Sequence, residues 1–216
     1  SGVGIRVVQD DQTGYAYSED FDLKPMIRAA RTAASIASSG DVSLDDAFRF
    51  NELVHKDYYP VLETVTEMDL VQKIEMIQRT EAVARDYDQR INRVTVAMMD
   101  AINLTQVVTS EGQIMRDTRP MFRMNVHCIS QEGDNIQNGT SGIGGRVGLD
   151  YLKKADYPLI LGEQAASEAI LLLGAKQAPS GLMPVILGPA QSGILLHEAV
   201  GHPLEADFNR KGTYAY

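Results

Sequence analysis

The sequence places two histidines and a glutamate close together near its C-terminal end. His197, Glu198 and His202 directly follow the apolar residues 194–196. Neutral imidazoles are common zinc ligands, and a carboxylate beside the metal can take a proton from water that the metal acidifies. This combination of residue types is therefore typical of a hydrolytic zinc site.

The spacing of the two histidines is His-Glu-x-x-x-His, one residue longer than the familiar His-Glu-x-x-His motif. In a regular α-helix, position i+5 is rotated by about 140° from position i, so His202 would face away from His197. A single π-helical turn corrects this mismatch, and such turns are frequent at functional sites. We expect the helix to loosen at Gly201 and to kink or end at His202, because Pro203 disfavours helical geometry in the residue before it.

The same residues also have a purely structural interpretation. A helix end carrying two unconnected histidines would look similar, with one imidazole binding carbonyl groups near the helix C-terminus. The residue types alone leave both interpretations open.

A longer stretch of sequence resembles a known family. Residues 197–216, HEAVGHPLEADFNRKGTYAY, are similar to the signature of the TldD/PmbA family, metalloproteases also described as modulators of DNA gyrase, and resemble its TldD-type subunit. Further similar blocks occur in family order: GVGIRVVQ near the start, TSEGQ at 109–113, GIGGRVG at 142–148 and MPVILGPAQSGILLHEAVGH at 183–202. The resemblance covers essentially the whole chain.

The resemblance implies a zinc-dependent peptidase that acts on unfolded or extended polypeptides. In it, His197 and His202 are the Zn²⁺ ligands and Glu198 is the catalytic general base. Family members are longer, and their third protein ligand is a cysteine in a glycine-rich segment of the C-terminal half. The only cysteine here, Cys128, does not match that segment. The resemblance thus implies an internal fragment of a TldD-like N-terminal region, without the C-terminal domain, that binds zinc weakly and is inactive alone.

The family also implies protein partners. We expect a homodimer, or a heterodimer with a PmbA-like paralogue, and a peptide or unfolded polypeptide as substrate. The alternative function is a non-catalytic interaction module, the role of the partner subunit that lacks the histidine motif. The intact motif favours the peptidase, although a ligand motif alone does not separate peptidases from amidases.

Proline at position 203 and alanine at 206 replace glycines that are frequent in the family.

Composition limits the other functions. The 216-residue chain has a net charge of −9 and a pI near 4.9, without a concentration of lysine and arginine, so we expect no nucleic-acid binding. It has no run of 18 apolar residues and no signal-peptide pattern, so we expect no membrane association. One cysteine excludes an internal disulfide. These features favour a cytoplasmic location.

Three further candidates for chemistry are weaker. Cys128 follows His127, but neighbours in a strand point to opposite faces, so a buried thiol beside an outward histidine is favoured over a catalytic pair. His55 has no ligand partner nearby and is predicted to be a surface residue. The glycine-rich segment 133–148 lacks a P-loop lysine and has Val147 where a dinucleotide fingerprint needs its third glycine. Either a mobile loop or strand edge near the metal, which offers backbone groups to an extended peptide, or a plain flexible connector is expected there instead.

The elements that must position the motif indicate an α+β fold. The N-terminal part, 1–90, reads as a β-hairpin, a helix over 22–38 with an alanine-rich face, a loop over 40–60, and a helix over 66–87 capped by Thr66 with Asp69.

The second part, 91–216, reads as an antiparallel meander with flanking helices that carries the histidine motif. Three or four strands are predicted over 91–132, with a hairpin turn at 110–112. Helices follow over GLDYLKKA and over GEQAASEAILLLGA, which ends at Gly174. MPVILG is predicted as a buried strand that leads into the metal-motif helix near the C-terminus.

Overall fold

The computed structural model shows an α+β fold, as the sequence predicts. It describes residues 1–37, 50–53, 57–189 and 191–213. The predicted surface position of His55 and the end of the helix predicted over 22–38 lie outside these ranges.

The chain begins with a β-hairpin that carries one helix. β1 (Val3–Gln9) pairs antiparallel with β2 (Gln12–Ser18), and α1 (Leu23–Ala37) packs on the hairpin through its alanines. The approach is very close at Gly14, where an added Cβ would lie 1.8 Å from the carbonyl oxygen of Ala33. The predicted hairpin and alanine-rich packing face are both confirmed.

The second sheet is built around one long central strand. β5 (Gln113–Glu132) pairs antiparallel with β4 (Ile91–Val108) along one edge, and β6 (Asn135–Gly145) pairs antiparallel with the second half of its other edge. A short strand, β3 (Asn51–Glu52), pairs parallel with the beginning of that other edge. The predicted meander is confirmed, with β6 as its third strand, whereas the predicted loop over 40–60 was wrong at β3.

The number of strands over 91–132 was also predicted wrongly. Two continuous strands, β4 and β5, replace the three or four that the sequence suggested, and the turn between them lies at the predicted 110–112. The predicted break in β5 coincides with Pro120, which cannot donate a hydrogen bond to a neighbouring strand. Between residues 115 and 121, β4 is the one described strand that pairs with β5, so the other edge of β5 can accept a proline without losing a ladder bond to the described strands.

Helices α2 (Leu70–Asp86) and α4 (Tyr157–Leu173) pack on one face of this sheet and on each other, and α3 (Leu149–Lys154) precedes α4. The helices predicted there are confirmed, and α4 ends at Gly174 as expected. The predicted Thr66 cap was wrong. Thr66 lies inside a 3₁₀ turn, Val65–Glu67, and the capping pair is Thr64 with Glu67, whose carboxylate accepts a hydrogen bond from the Thr64 N–H at 2.8 Å.

The core lies between α4 and the alternate residues of β5 that face it. These fully or nearly fully buried side chains are Phe122, Met124, Val126, Cys128 and Ser130. Small residues on α4, Ala165, Ala166 and Ala169, allow the helix to approach closely. Ser130 also donates a hydrogen bond to the Ala169 carbonyl at 2.7 Å, which fixes the helix along the strand.

The segment between α4 and the histidine motif differs from the prediction. Residues 183–188, MPVILG, form no strand, and Val185, Ile186 and Leu187 are largely exposed, Ile186 at 97%. A strand needs a neighbour to accept its backbone hydrogen bonds, and none of the described sheets pairs with this segment. The apolar sequence alone could not reveal whether that neighbour lies within this chain.

Candidate metal centre

The histidine motif starts where a short helix becomes irregular. α5 (Gln191–Leu196) continues into a π-helical turn over His197–Gly201 and then a 3₁₀ turn over His202–Leu204. The N–H of His202 donates to the carbonyl oxygen of His197, which is the i to i+5 bond of a π-helix. The predicted π-helical turn is therefore confirmed.

The irregularity is spread over the whole turn and is not concentrated at one residue. Gly201 keeps right-handed helical angles (φ −62°, ψ −58°), although the sequence suggested that the helix would loosen there. The buried Pro203 lies in the 3₁₀ turn, which ends at Leu204. The proline thus ends the helical path close to the predicted position.

The π-helical turn brings the three side chains of the motif together. Donor atoms of His197, Glu198 and His202 all lie within 4.8 Å of one another. The two imidazole centroids are 4.5 Å apart with an interplanar angle of 71°, and Glu198 Oε2 lies 3.5 Å from His202 Nε2. Within the described ranges, this is the one group of three or more such side chains with metal-ligand spacing.

The donor set fits a divalent transition-metal ion. Tetrahedral zinc with nitrogen ligands at about 2.0–2.1 Å holds neighbouring ligand atoms roughly 3.4 Å apart. The side chains of Glu198 and His202 are 62% and 38% exposed, so small side-chain rotations can bring the donors to that spacing. The two imidazoles provide nitrogen donors that zinc accepts, and the Glu198 carboxylate lies beside them, where it can act on a water molecule.

The second nitrogen of His202 also has a partner. Its Nδ1 lies 2.5 Å from Oε1 of Glu205, which is the residue directly before α6 (Ala206–Lys211). Sequence reasoning missed Glu205. Its signal was an acidic residue three positions after the second histidine, at the start of a new helix.

The other described sequence candidates lie on the strands of the sheet and are not members of this group. Cys128 is fully buried in the core, and His127 points to the opposite face of β5, where its Nε2 lies 3.2 Å from Asn138 Oδ1. Burial raises the pKa of the Cys128 thiol above its usual value. The prediction that these neighbours do not form a catalytic pair is confirmed.

Residues 135–145 of the glycine-rich segment form β6 at the edge of the described sheet, so the predicted strand edge is confirmed. Its position near the metal and its contact with a peptide stay predictions. Its glycines serve close packing: an added Cβ at Gly139 would lie 2.0 Å from the carbonyl oxygen of Ala165 on α4. The edge is partly occupied, because the Thr140 N–H donates to the Glu168 carboxylate at 2.6 Å.

Two domain models of one protein family match the chain. Residues 63–173 match the PmbA/TldA metallopeptidase central domain, and residues 1–37 match PmbA/TldA metallopeptidase domain 1. The chain belongs to the PmbA/TldD family of metallopeptidases. The family membership expected from the sequence is therefore confirmed, and it implies a metal cofactor.

Individual relatives agree with this assignment. The chain is 33% identical over 214 residues to a metalloprotease TldD homolog of Haemophilus influenzae, covering 97% of the chain and 44% of that protein. It is 28% identical over 218 residues to a metalloprotease of Methanocaldococcus jannaschii, covering 96% of the chain and 46% of that protein. The chain thus spans less than half the length of these relatives.

Solved structures share the fold. A protein of Bacteroides thetaiotaomicron described as a modulator of DNA gyrase superposes with a TM-score of 0.69 at 18% identity, covering 94% of the chain and 46% of that protein. TldE of Thermococcus kodakarensis gives a TM-score of 0.51 at 18% identity, covering 76% of the chain and 36% of that protein.

Among the described residues, no helix has the length and apolar character to cross a membrane.

Proposed function

We propose that the protein is a zinc-dependent peptidase that cleaves unfolded or extended polypeptides. In this proposal, His197 and His202 bind the metal and Glu198 is the general base. The observation that best supports this proposal is the π-helical turn, because it brings the donor atoms of all three side chains within 4.8 Å of one another. The chain also belongs to a metallopeptidase family.

The three side chains have separate tasks. Zinc bound here would act as a Lewis acid, which acidifies water and polarises the substrate carbonyl. His197 and His202 bind as neutral imidazoles, which keeps the net positive charge of the site. The Glu198 carboxylate accepts a proton from the attacking water at one oxygen and returns it to the leaving amine. Its Oε2 position, 3.5 Å from His202 Nε2, keeps it beside the ligand group.

Two histidines leave the usual three-ligand zinc site one protein ligand short. We propose, on the family resemblance, that the third ligand is a cysteine in a C-terminal domain that these 216 residues do not include. On that basis, the chain alone binds zinc weakly and is inactive. The proposed division is an α/β part over 1–90 and a sheet-and-helix part over 91–216.

We further propose that the protein works in the cytoplasm as a homodimer or with a PmbA-like paralogue. The support for a paralogous partner is the shared fold with the protein named TldE. The second candidate function, a non-catalytic interaction module, is favoured by the many exposed apolar side chains before and within the motif, such as Ile186, Leu196 and Val200. The assembled histidine motif favours the peptidase.

The test is cleavage of an unfolded polypeptide by the full-length protein, with and without a chelator. We expect Glu198→Gln to lower kcat by about 100-fold or more, since general-base catalysis contributes roughly 10²- to 10⁴-fold. Glu163→Gln, which removes a charge from the exposed face of α4, is the matched control and should keep full activity. Cleavage that resists both the chelator and Glu198→Gln would rule out the peptidase and leave the interaction module.

A further inference from the structure

Glu205 reaches back from the start of α6 to the second histidine of the motif. Its Oε1 lies 2.5 Å from His202 Nδ1, within hydrogen-bonding distance, and an ionised carboxylate oxygen can only accept, so Nδ1–H is the donor in this contact. The other ring nitrogen, Nε2, faces the donor group, 3.5 Å from Glu198 Oε2. The two nitrogens of His202 therefore have separate surroundings.

The backbone around Glu205 is held from both sides. Its N–H donates to the His202 carbonyl at 3.0 Å, and its carbonyl accepts the N–H of Asn209 at 3.1 Å. The Asn209 side-chain amide donates to the carbonyls of Pro203 and Glu205, both at 3.0 Å. These bonds join the 3₁₀ turn to α6 and fix the direction from which the carboxylate approaches His202.

Glu205 is also an unusual residue for its place in the helix. It is the N-cap of α6, a position that favours Ser, Thr, Asp or Asn because their short side chains bind free N–H groups of the first turn. The Glu205 side chain makes no such cap bond. Its acceptor is directed to the imidazole instead.

We propose that Glu205 is a positioning residue that holds neutral His202 in the Nδ1–H tautomer, so that the Nε2 lone pair is directed at the metal site. This inference rests on the proposed function. Histidine ligands usually donate their second N–H to a carboxylate or a carbonyl, which fixes both tautomer and ring orientation, and loss of that partner typically weakens metal binding 10- to 100-fold. As an exposed ion pair, the contact between Glu205 and His202 would add little to the stability of the fold.

The first test measures the tautomer without metal. Long-range ¹H–¹⁵N spectra of the full-length protein, recorded where the imidazoles are neutral and assigned with His202→Gln, should show His202 protonated at Nδ1. Glu205→Ala should shift His202 toward Nε2–H, while Glu205→Gln, which keeps an acceptor oxygen, should preserve Nδ1–H. An Nε2–H tautomer in the unmodified protein would overturn the inference without any variant.

The second test measures Co²⁺ affinity of the same proteins by absorbance. We expect roughly 10- to 100-fold weaker binding in Glu205→Ala, and near-normal binding in Glu205→Gln. Asp207→Ala, which removes an exposed charge from the first turn of α6, is the matched control and should bind normally. If Co²⁺ binds normally in Glu205→Ala, the positioning role fails. If His197→Ala binds Co²⁺ as well as the unmodified protein, the metal site itself fails.

Discussion

At the residue scale, the candidate metal site depends on the π-helical turn that brings His197, Glu198 and His202 together. The i, i+5 spacing and Pro203 together required an irregular helix, because a regular one would separate His197 from His202. Glu205 was not predictable by the same reasoning. Its contact with His202 depends on how the chain turns between the 3₁₀ turn and α6, and that path depends on the Asn209 bonds to Pro203 and Glu205.

The buried thiol gives the first prediction at this scale. Desolvation raises the pKa of Cys128, and its side chain is fully buried in the core, so both ionisation and access are limited. We expect a thiol reagent at pH 8 to leave Cys128 unmodified in the folded protein and to modify it rapidly in denaturant. Ser167→Cys in a Cys128→Ser background gives a control thiol on the exposed face of α4. Equal rates for the two thiols in folded protein would contradict this burial.

The turn between α2 and β4 gives a pH-dependent prediction. The Arg90 side chain donates to Asp88 at 2.8 and 3.0 Å and, with the Arg90 backbone N–H, lowers the pKa of Asp88 to about 2. Because the pKa is lower in the folded state, the stabilisation is complete above the unfolded value near 3.8 and is lost as the pH falls toward 2.

Urea unfolding between pH 5 and pH 2 tests this. We expect Asp88→Asn to be less stable than the unmodified protein at pH 5 and the difference to shrink toward pH 2. Glu163→Gln serves as the control, since it removes an exposed carboxylate on α4. A stability difference for Asp88→Asn that does not change with pH would show that the ion pair contributes nothing to this dependence.

At the element scale, the sequence was most informative where periodicity and packing agree. The alanine-rich face of α1 predicted close contact with a sheet, and α1 lies against Gly14 of β2. The structure shows the same kind of contact between α4 and Gly139 of β6. The sequence was least informative where pairing with another strand decides the structure. Residues 183–188 have the composition of a strand but pair with none of the described strands, and β5 continues through a proline because its open edge tolerates one.

Close packing of α4 on β6 gives a prediction for this scale. A methyl group at Gly139 would lie 2.0 Å from the Ala165 carbonyl oxygen and 2.4 Å from the Ala169 nitrogen, both backbone atoms that cannot rotate away. We expect Gly139→Ala to lower the free energy of unfolding by about 1–3 kcal/mol. The melting temperature should then fall by roughly 3–10 °C.

The matched control for this substitution is Gly188→Ala, because an added Cβ at Gly188 meets no atom within 4 Å. It should melt within about 1 °C of the unmodified protein. Equal melting temperatures for Gly139→Ala and Gly188→Ala would show that α4 does not pack on β6 as closely as described.

At the scale of the whole molecule, a packed sheet-and-helix unit is followed by an exposed metal motif. The core residues on β5 and α4 are buried, whereas Leu195, Leu196, Val200 and Leu204 around the motif are largely exposed. Relatives of the chain are more than twice its length, since it covers 44% of one and 46% of another. This contrast supports the proposal that the motif is completed by residues beyond those in this chain.

Zinc affinity of the full-length protein tests the central claim most directly, measured by competition with a chromophoric chelator. We expect one tightly bound zinc ion per chain and a loss of about 100-fold or more in affinity for His197→Ala and for His202→Ala. Glu198→Gln should bind zinc with nearly unchanged affinity, since Glu198 is proposed as a base and not as a ligand. Zinc bound with equal affinity by the unmodified protein and by His197→Ala would contradict it.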